Sequence, residues 1–177
     1  MLHSFSSERE RYLHIPLGVP FYEEATFWNT VWGTPDGANQ TTTIADLTRT
    51  AAAAGTGTLL SRSSYRAMTG PNLIGFGHKQ ANCAGACFKQ PRLYNFGLGV
   101  IRTGSWIQQN PLLSGDSATE AYLPSEKIAI AVVTTYKAAA FNAAGVEPDA
   151  SDPIFRAIGT YVAPHDAPPA VPPVLPK

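Results

Sequence analysis

The run Ile128-Ala129-Ile130-Ala131-Val132-Val133-Thr134-Thr135-Tyr136 constrains this chain most. It is continuous, apolar and β-branched, and of strand rather than helix length. Such a run predicts a central strand buried on both faces, so a sheet must be built around it. Strand signals begin upstream. Tyr94, Phe96, Leu98 and Val100 alternate with Asn95, Gly97 and Gly99, which predicts one strand over 94–100 with its glycines on a single face. Thr103-Gly104 reads as a turn, Ser105 to Gln108 as a returning strand, and Ala118 to Leu123 as a weaker strand. Pro124-Ser125-Glu126-Lys127 is the turn before the long run.

Helical patterns flank these strands. Thr43 is placed to N-cap a helix, with Asp46 three residues on as a short form of the capping box. Ile44, Leu47 and Ala51 share a face there, and Gly55 is the expected C′ residue. A short helix follows from Ser61 to Gly70-Pro71, with Tyr65 and Met68 facing the core. A last helix begins at Ser151 or Asp152 with Pro153 in the tolerated first position, and Ile154, Ile158 and Tyr161 line one face. Helices, then an antiparallel meander, then a closing helix make an α+β pattern: an antiparallel sheet of about three to five strands with flanking helices. The predicted organisation is an irregular segment over 1–20, a domain over 21–163, and a proline-rich disordered tail over 164–177. Within the domain, the aromatic stretch Phe21 to Trp32 reads as an extended segment that plugs onto a core.

Charge excludes some functions. Thirteen basic residues balance thirteen acidic ones, and only 15% of residues are charged. A nucleic-acid surface needs a basic stripe to neutralise phosphates, so no nucleic-acid partner is expected. No stretch reaches the roughly 18–20 apolar residues that span a bilayer. Met1 to Arg11 lacks the basic and apolar regions of a signal peptide, so the chain as written is expected in the cytoplasm; a longer exported parent would put it in the cell envelope or outside the cell.

The two cysteines, Cys83 and Cys87, sit in Asn82-Cys83-Ala84-Gly85-Ala86-Cys87. Free thiols and a small-loop disulfide are both compatible with this spacing, the disulfide if a parent is exported. A metal site would recruit His78 but stops at three ligands, where structural zinc wants four. No metal and no cofactor is therefore assigned. His3, His14, His78 and His165 show no metalloprotease spacing.

Several motifs carry a family resemblance when taken in order. They are Thr42 to Leu47, Gly55-Thr56-Gly57-Thr58-Leu59-Leu60-Ser61 followed by Tyr65 to Met68, Tyr94 to Val100, Leu113-Ser114-Gly115-Asp116-Ser117, and Ile128 to Tyr136. Over roughly 21–163 the chain resembles the C-terminal half of the β-lactamase-related serine hydrolases, which include class C β-lactamases, D-alanyl-D-alanine carboxypeptidases and related esterases. The resemblance implies the C-terminal part of a β-lactamase/transpeptidase-like fold. It also implies amide or ester hydrolysis in an intact parent, with a small molecule or peptide as substrate and an N-terminal half as partner. Leu113, Ser114 and Gly115 then stand at the third motif, whose strand orients substrate and lends a backbone N–H to the oxyanion hole.

The departures are specific. In that family the serine of Ser-x-x-Lys attacks the carbonyl, and a Lys and a Tyr manage its proton. Here Ser61 leads to Ser64, Ser63 to Arg66, Ser114 to Ser117, Ser117 to Glu120 and Ser125 to Ile128, so no Ser-x-x-Lys occurs. No Tyr-x-Asn occurs either. Leu113 replaces the family's basic or imidazole residue and can neither transfer a proton nor orient a carboxylate. Arg102-Thr103-Gly104 imitates the third motif but comes too early. Gly115-Asp116-Ser117 imitates a GDSL-type nucleophile block but lies mid-chain. No catalytic residue is assigned, and the chain is expected to be inactive alone, as a hydrolase portion or as a non-catalytic binding module derived from that fold.

Overall fold

The computed structural model describes residues 3–29, 41–71, 73–81, 87–113, 115–142 and 147–170. Strands β1 (Phe5–Ser6) and β2 (Glu23–Glu24) pair as a small antiparallel ribbon. Helices α1 (Ile44–Thr56) and α2 (Arg62–Thr69) follow. Then come β3 (Tyr94–Phe96), β4 (Ile101–Thr103), β5 (Trp106–Gln109), β6 (Leu112–Leu113), β7 (Asp116–Leu123) and β8 (Ile128–Thr135), and finally α3 (Ser151–Val162). The fold is α+β, an antiparallel sheet with flanking helices, as the sequence pattern predicts.

The sheet is a meander ordered β3-β4-β5-β7-β8, and β6 also pairs with β7. β5 and β6 share one lane. Ile107 faces Tyr122 and Leu112 faces Ser117 in one continuous register, interrupted at Asn110-Pro111, where proline has no N–H for the ladder. The sheet is therefore six strands in count and five lanes in width.

The predicted strand over 94–100 is a hairpin. Only Tyr94–Phe96 is extended; Gly97 N–H donates to Val100 O at 2.8 Å, and the chain returns as β4. Gly99 at φ 74° takes a left-handed conformation that a side chain would strain and so turns the chain, while Gly97 lets the Met68 carbonyl approach where a Cβ would collide.

Ile128–Thr135 forms a strand, but at the sheet edge: among the described residues β8 pairs with β7 alone. The inner strand is β7, whose weaker signal comes from Ser117 and Thr119, both fully buried. The apolar run of β8 reflects cover on both faces. Gly55 of α1 packs against the Tyr122 ring on one face. On the other, Phe155 of α3 clusters with Trp106, Ala121, Leu123, Ile130 and Val132. Phe155 and Trp106 meet edge-to-face, centroids 5.3 Å apart, and neither is exposed.

Helix ends follow local chemistry. Thr43 Oγ1 accepts from Asp46 N–H at 3.2 Å, and Ser61 Oγ accepts from Ser64 N–H at 3.2 Å. The C-cap of α1 is Gly57 rather than Gly55, which stays helical because only a hydrogen fits against Tyr122. Tyr65 and Met68 are half-buried rather than core; the Tyr65 hydroxyl donates to Gly55 O.

α3 turns a different face inward from the one its apolar spacing predicts. Ile154, Ile158 and Tyr161 are exposed, Tyr161 at 88%. Asp152, Phe155, Arg156 and Gly159 are buried. Gly159 wins because it lets Pro168 and Trp106 approach the helix. Arg156 wins because the polar side chains of the sheet satisfy it. The proline-rich segment, expected to be disordered from residue 164, packs through its first residues. Trp106 Nε1 donates to Asp166 O at 2.7 Å, and Arg156 donates to Pro169 O. Residues 171–177 lie outside the described residues.

Candidate functional site

The strand that the resemblance implies over Leu113, Ser114 and Gly115 does not extend to Gly115, which lies in a turn. Leu113 ends β6 and pairs with Asp116, the first residue of β7, so Gly115 belongs to neither strand. Ser114 and the Leu113 side chain lie outside what the structure describes. Gly115 sits at φ 82°, and a Cβ there would collide with the Phe5 backbone. The N-terminal ribbon thus seats directly on this turn. Its contacts are specific: Ser4 hydrogen-bonds the Asp116 carboxyl, and Ala25 N–H donates to Ser4 O at 2.8 Å. Phe5 meets Tyr22 edge-to-face, and Tyr22 stacks on Phe141. The aromatic stretch does not plug onto a core in its described part: Tyr22 and Phe27 are exposed, the chain turns at Thr26-Phe27, and only Ala25 is buried.

Behind the turn, β7 carries a chain of buried polar groups into the start of α3. Ser117 Oγ donates to Asp149 Oδ1 at 2.6 Å, and Ser151 Oγ lies 2.7 Å from Ser117 Oγ and 2.8 Å from Thr119 Oγ1. Asp149 Oδ1 also accepts from the Ser151 and Asp152 N–H groups at 3.1 and 3.3 Å, so a carboxylate caps α3 where Ala150 cannot. One helical turn on, Asp152 Oδ2 accepts from Arg156 Nε at 2.6 Å, and its Oδ1 accepts from Gln108 Nε2 at 2.6 Å. Arg156 Nη1 reaches Thr103 Oγ1 at 3.2 Å.

These groups hold α3 to the sheet; they do not form a nucleophile and its base. Ser117, the serine of the Gly115-Asp116-Ser117 block, is fully buried and donates to a carboxylate, with no imidazole between them. Ser105 and Ser125 donate to the two oxygens of Asp166 at 2.7 and 3.0 Å. Ser61, Ser63 and Ser64 bond one another at the start of α2. None of these hydroxyls meets a lysine or histidine. Burial raises the Tyr94 phenol above its ordinary value, with the Asp152 charge adding to the effect. Tyr94 therefore stays protonated near neutral pH, opposite to what a proton acceptor needs. Arg102, of the early Arg-Thr-Gly, donates through Nη1 to Thr69 O at 2.8 Å and anchors α2.

Cys87 is disulfide-bonded. Cys83, the other cysteine of the chain, lies outside the described residues. Among the described residues no cluster of His, Cys, Asp or Glu could hold a metal ion, and no helix is long and apolar enough to cross a membrane. The polar network was missed by sequence reasoning. Its signal was the polar alternation at Ser117 and Thr119 in β7 and the i, i+4 pair Asp152/Arg156 in α3.

A scan of protein-family models finds none that matches the chain. A search of curated proteins finds no significant match.

Proposed function

We propose that this chain is the C-terminal portion of a serine hydrolase of the β-lactamase/penicillin-binding type, and that it turns over no substrate by itself. The observation that supports the reading is the order of the elements along the chain. After the β1–β2 ribbon, helices come first, then the antiparallel strands β3 to β8, then a closing helix, which is the order that the motif resemblance implies. In an intact parent the third motif would lend a backbone N–H to the oxyanion hole, a contribution worth about 10²–10³ in rate; in this chain the Phe5 backbone packs against Gly115. The attacking serine and its base would come from another part of the parent. The disulfide at Cys87 supports an exported parent, because oxidising compartments preserve such bonds.

The test has two parts. Residues 1–177 alone are assayed with nitrocefin and p-nitrophenyl acetate, and the coding sequence upstream of Met1 is read for an in-frame Ser-x-x-Lys and Tyr-x-Asn. Background rates unchanged by Ser114→Ala, with both motifs upstream, support the reading. Turnover lost in Ser114→Ala would make Ser114 itself the nucleophile. Turnover retained in that variant would place a nucleophile elsewhere in the chain. Either outcome overturns the reading. A non-catalytic binding role is the second reading, favoured by Leu113, which puts an apolar residue where the family carries a basic or imidazole group; a stable partner recovered by crosslinking, with neither motif upstream, would favour it.

A further inference from the structure

The β3–β4 hairpin and the loop after α2 enclose an open cleft of about 390 Å3. Arg92 and Arg102 line it, and among the described residues no acidic residue does. Arg102 spends one N–H on Thr69 O. The Arg92 side chain has no hydrogen bond or ion pair among the described residues. Asn95, 2% exposed, also lines the cleft and braces it, because its Nδ2 donates to Pro91 O and Arg92 O at 3.3 and 3.0 Å and so holds the backbone that carries Arg92. Ser105, which also lines the cleft, donates to Asp166 Oδ1, whose other oxygen accepts from Ser125. Ile74 and Leu93 supply apolar wall.

Two cations in one concave wall repel each other, and guanidinium forks pair best with planar or tetrahedral oxyanions. The cleft volume lies within the range of small-molecule sites. We propose that this cleft binds a small organic oxyanion, a carboxylate or phosphate monoester on an apolar stem, with Arg92 and Arg102 on the anion and Ile74 and Leu93 on the stem. The proposal stands on this cleft alone and does not rest on the hydrolase reading.

The test is an amide ¹H–¹⁵N titration of the full chain with phenyl phosphate, benzoate and neutral benzamide. Saturable shifts at Leu93, Asn95 and Ser105 with at least one anion, absent with benzamide, are expected. The tighter of the two anions assigns the headgroup. Arg92→Gln should weaken binding about tenfold, the size of one charge-assisted hydrogen bond, and Arg62→Gln on the exposed start of α2 should not. Arg92→Gln is the deciding variant, because its side chain has no partner among the described residues to lose; Arg102→Gln also releases Thr69. No saturation by either anion at about 10 mM, equal binding of benzamide, or unchanged affinity in Arg92→Gln would each overturn the proposal.

Discussion

Removing the Asp152 carboxylate should cost more stability than any other single polar change in this fold. Both members of the Asp152–Arg156 pair have side chains only 10% exposed. Asp152→Ala deletes the bonds from Arg156 Nε (2.6 Å), Arg156 Nη2 (3.3 Å) and Gln108 Nε2 (2.6 Å). It leaves a buried guanidinium with only neutral acceptors, Thr103 Oγ1 and Pro169 O. Gln108 is left worse still, since its Oε1 already has no partner. Orphaning one member of a buried pair costs about 3–5 kcal/mol. With a urea m-value of about 2 kcal/mol/M, the midpoint should fall by about 2 M. Fluorescence reports the transition directly, because Trp106 is fully buried against Phe155 in the same layer. The double variant Asp152→Leu/Arg156→Met removes both charges together and should recover at least about 2 kcal/mol of the loss. A single-variant loss below about 1 kcal/mol would mean that solvent screens the pair. A double variant as unstable as the two single losses added would mean that the pair does not couple. Either result refutes the reasoning.

Gly55→Ala should destabilise the chain by about 1–2 kcal/mol in thermal unfolding, although alanine favours helix by about 1 kcal/mol, because the new methyl meets the Cβ and Cγ of Tyr122 rather than a flexible chain end. A Gly55→Ala protein as stable as the parent would show that the α1–sheet contact yields. Burial holds the Glu120 and Asp116 carboxyls above their ordinary values, with a bond from Ser4 partly opposing this at Asp116. The folded state therefore binds these protons more tightly than the unfolded chain. Stability is greatest below the unfolded values of 4.5 and 3.8 and falls as pH rises through the folded ones. Glu120→Gln should flatten that fall and raise the melting temperature at pH 7 relative to the parent; a steeper fall, or a lower value at pH 7, would reverse the assignment.

Much of the architecture was legible one segment at a time. Thr43 and Ser61 are read as caps because a hydroxyl before a helical pattern has a local backbone N–H to serve. Pro124 to Lys127 is read as a turn because the paired strands on either side need one. The family resemblance was likewise assembled from local motifs. Two of its strands were read too long: β6 ends at Leu113, before Gly115, and Tyr94 to Val100 is a hairpin, because period two is the same in a strand and in a short hairpin until Gly99 turns the chain.

What the residue order determined by itself was element type, chain order and the α+β class, because caps, turns and strand propensity act over a few residues. Tertiary structure decided the rest. The apolar stripe of α3 would have chosen Ile154, Ile158 and Tyr161, but the sheet offered Gln108, Ser117 and Thr119 in its interior, and only the Ser151/Asp152/Arg156 face could satisfy them. The apolar strand went to the edge and the polar one to the middle, because two helices cover both. Arg92 and Arg102, ten residues apart in the chain, came to one cleft only when the hairpin folded. A buried polar group is placed by its partners, and partners distant in sequence are brought together only by the fold.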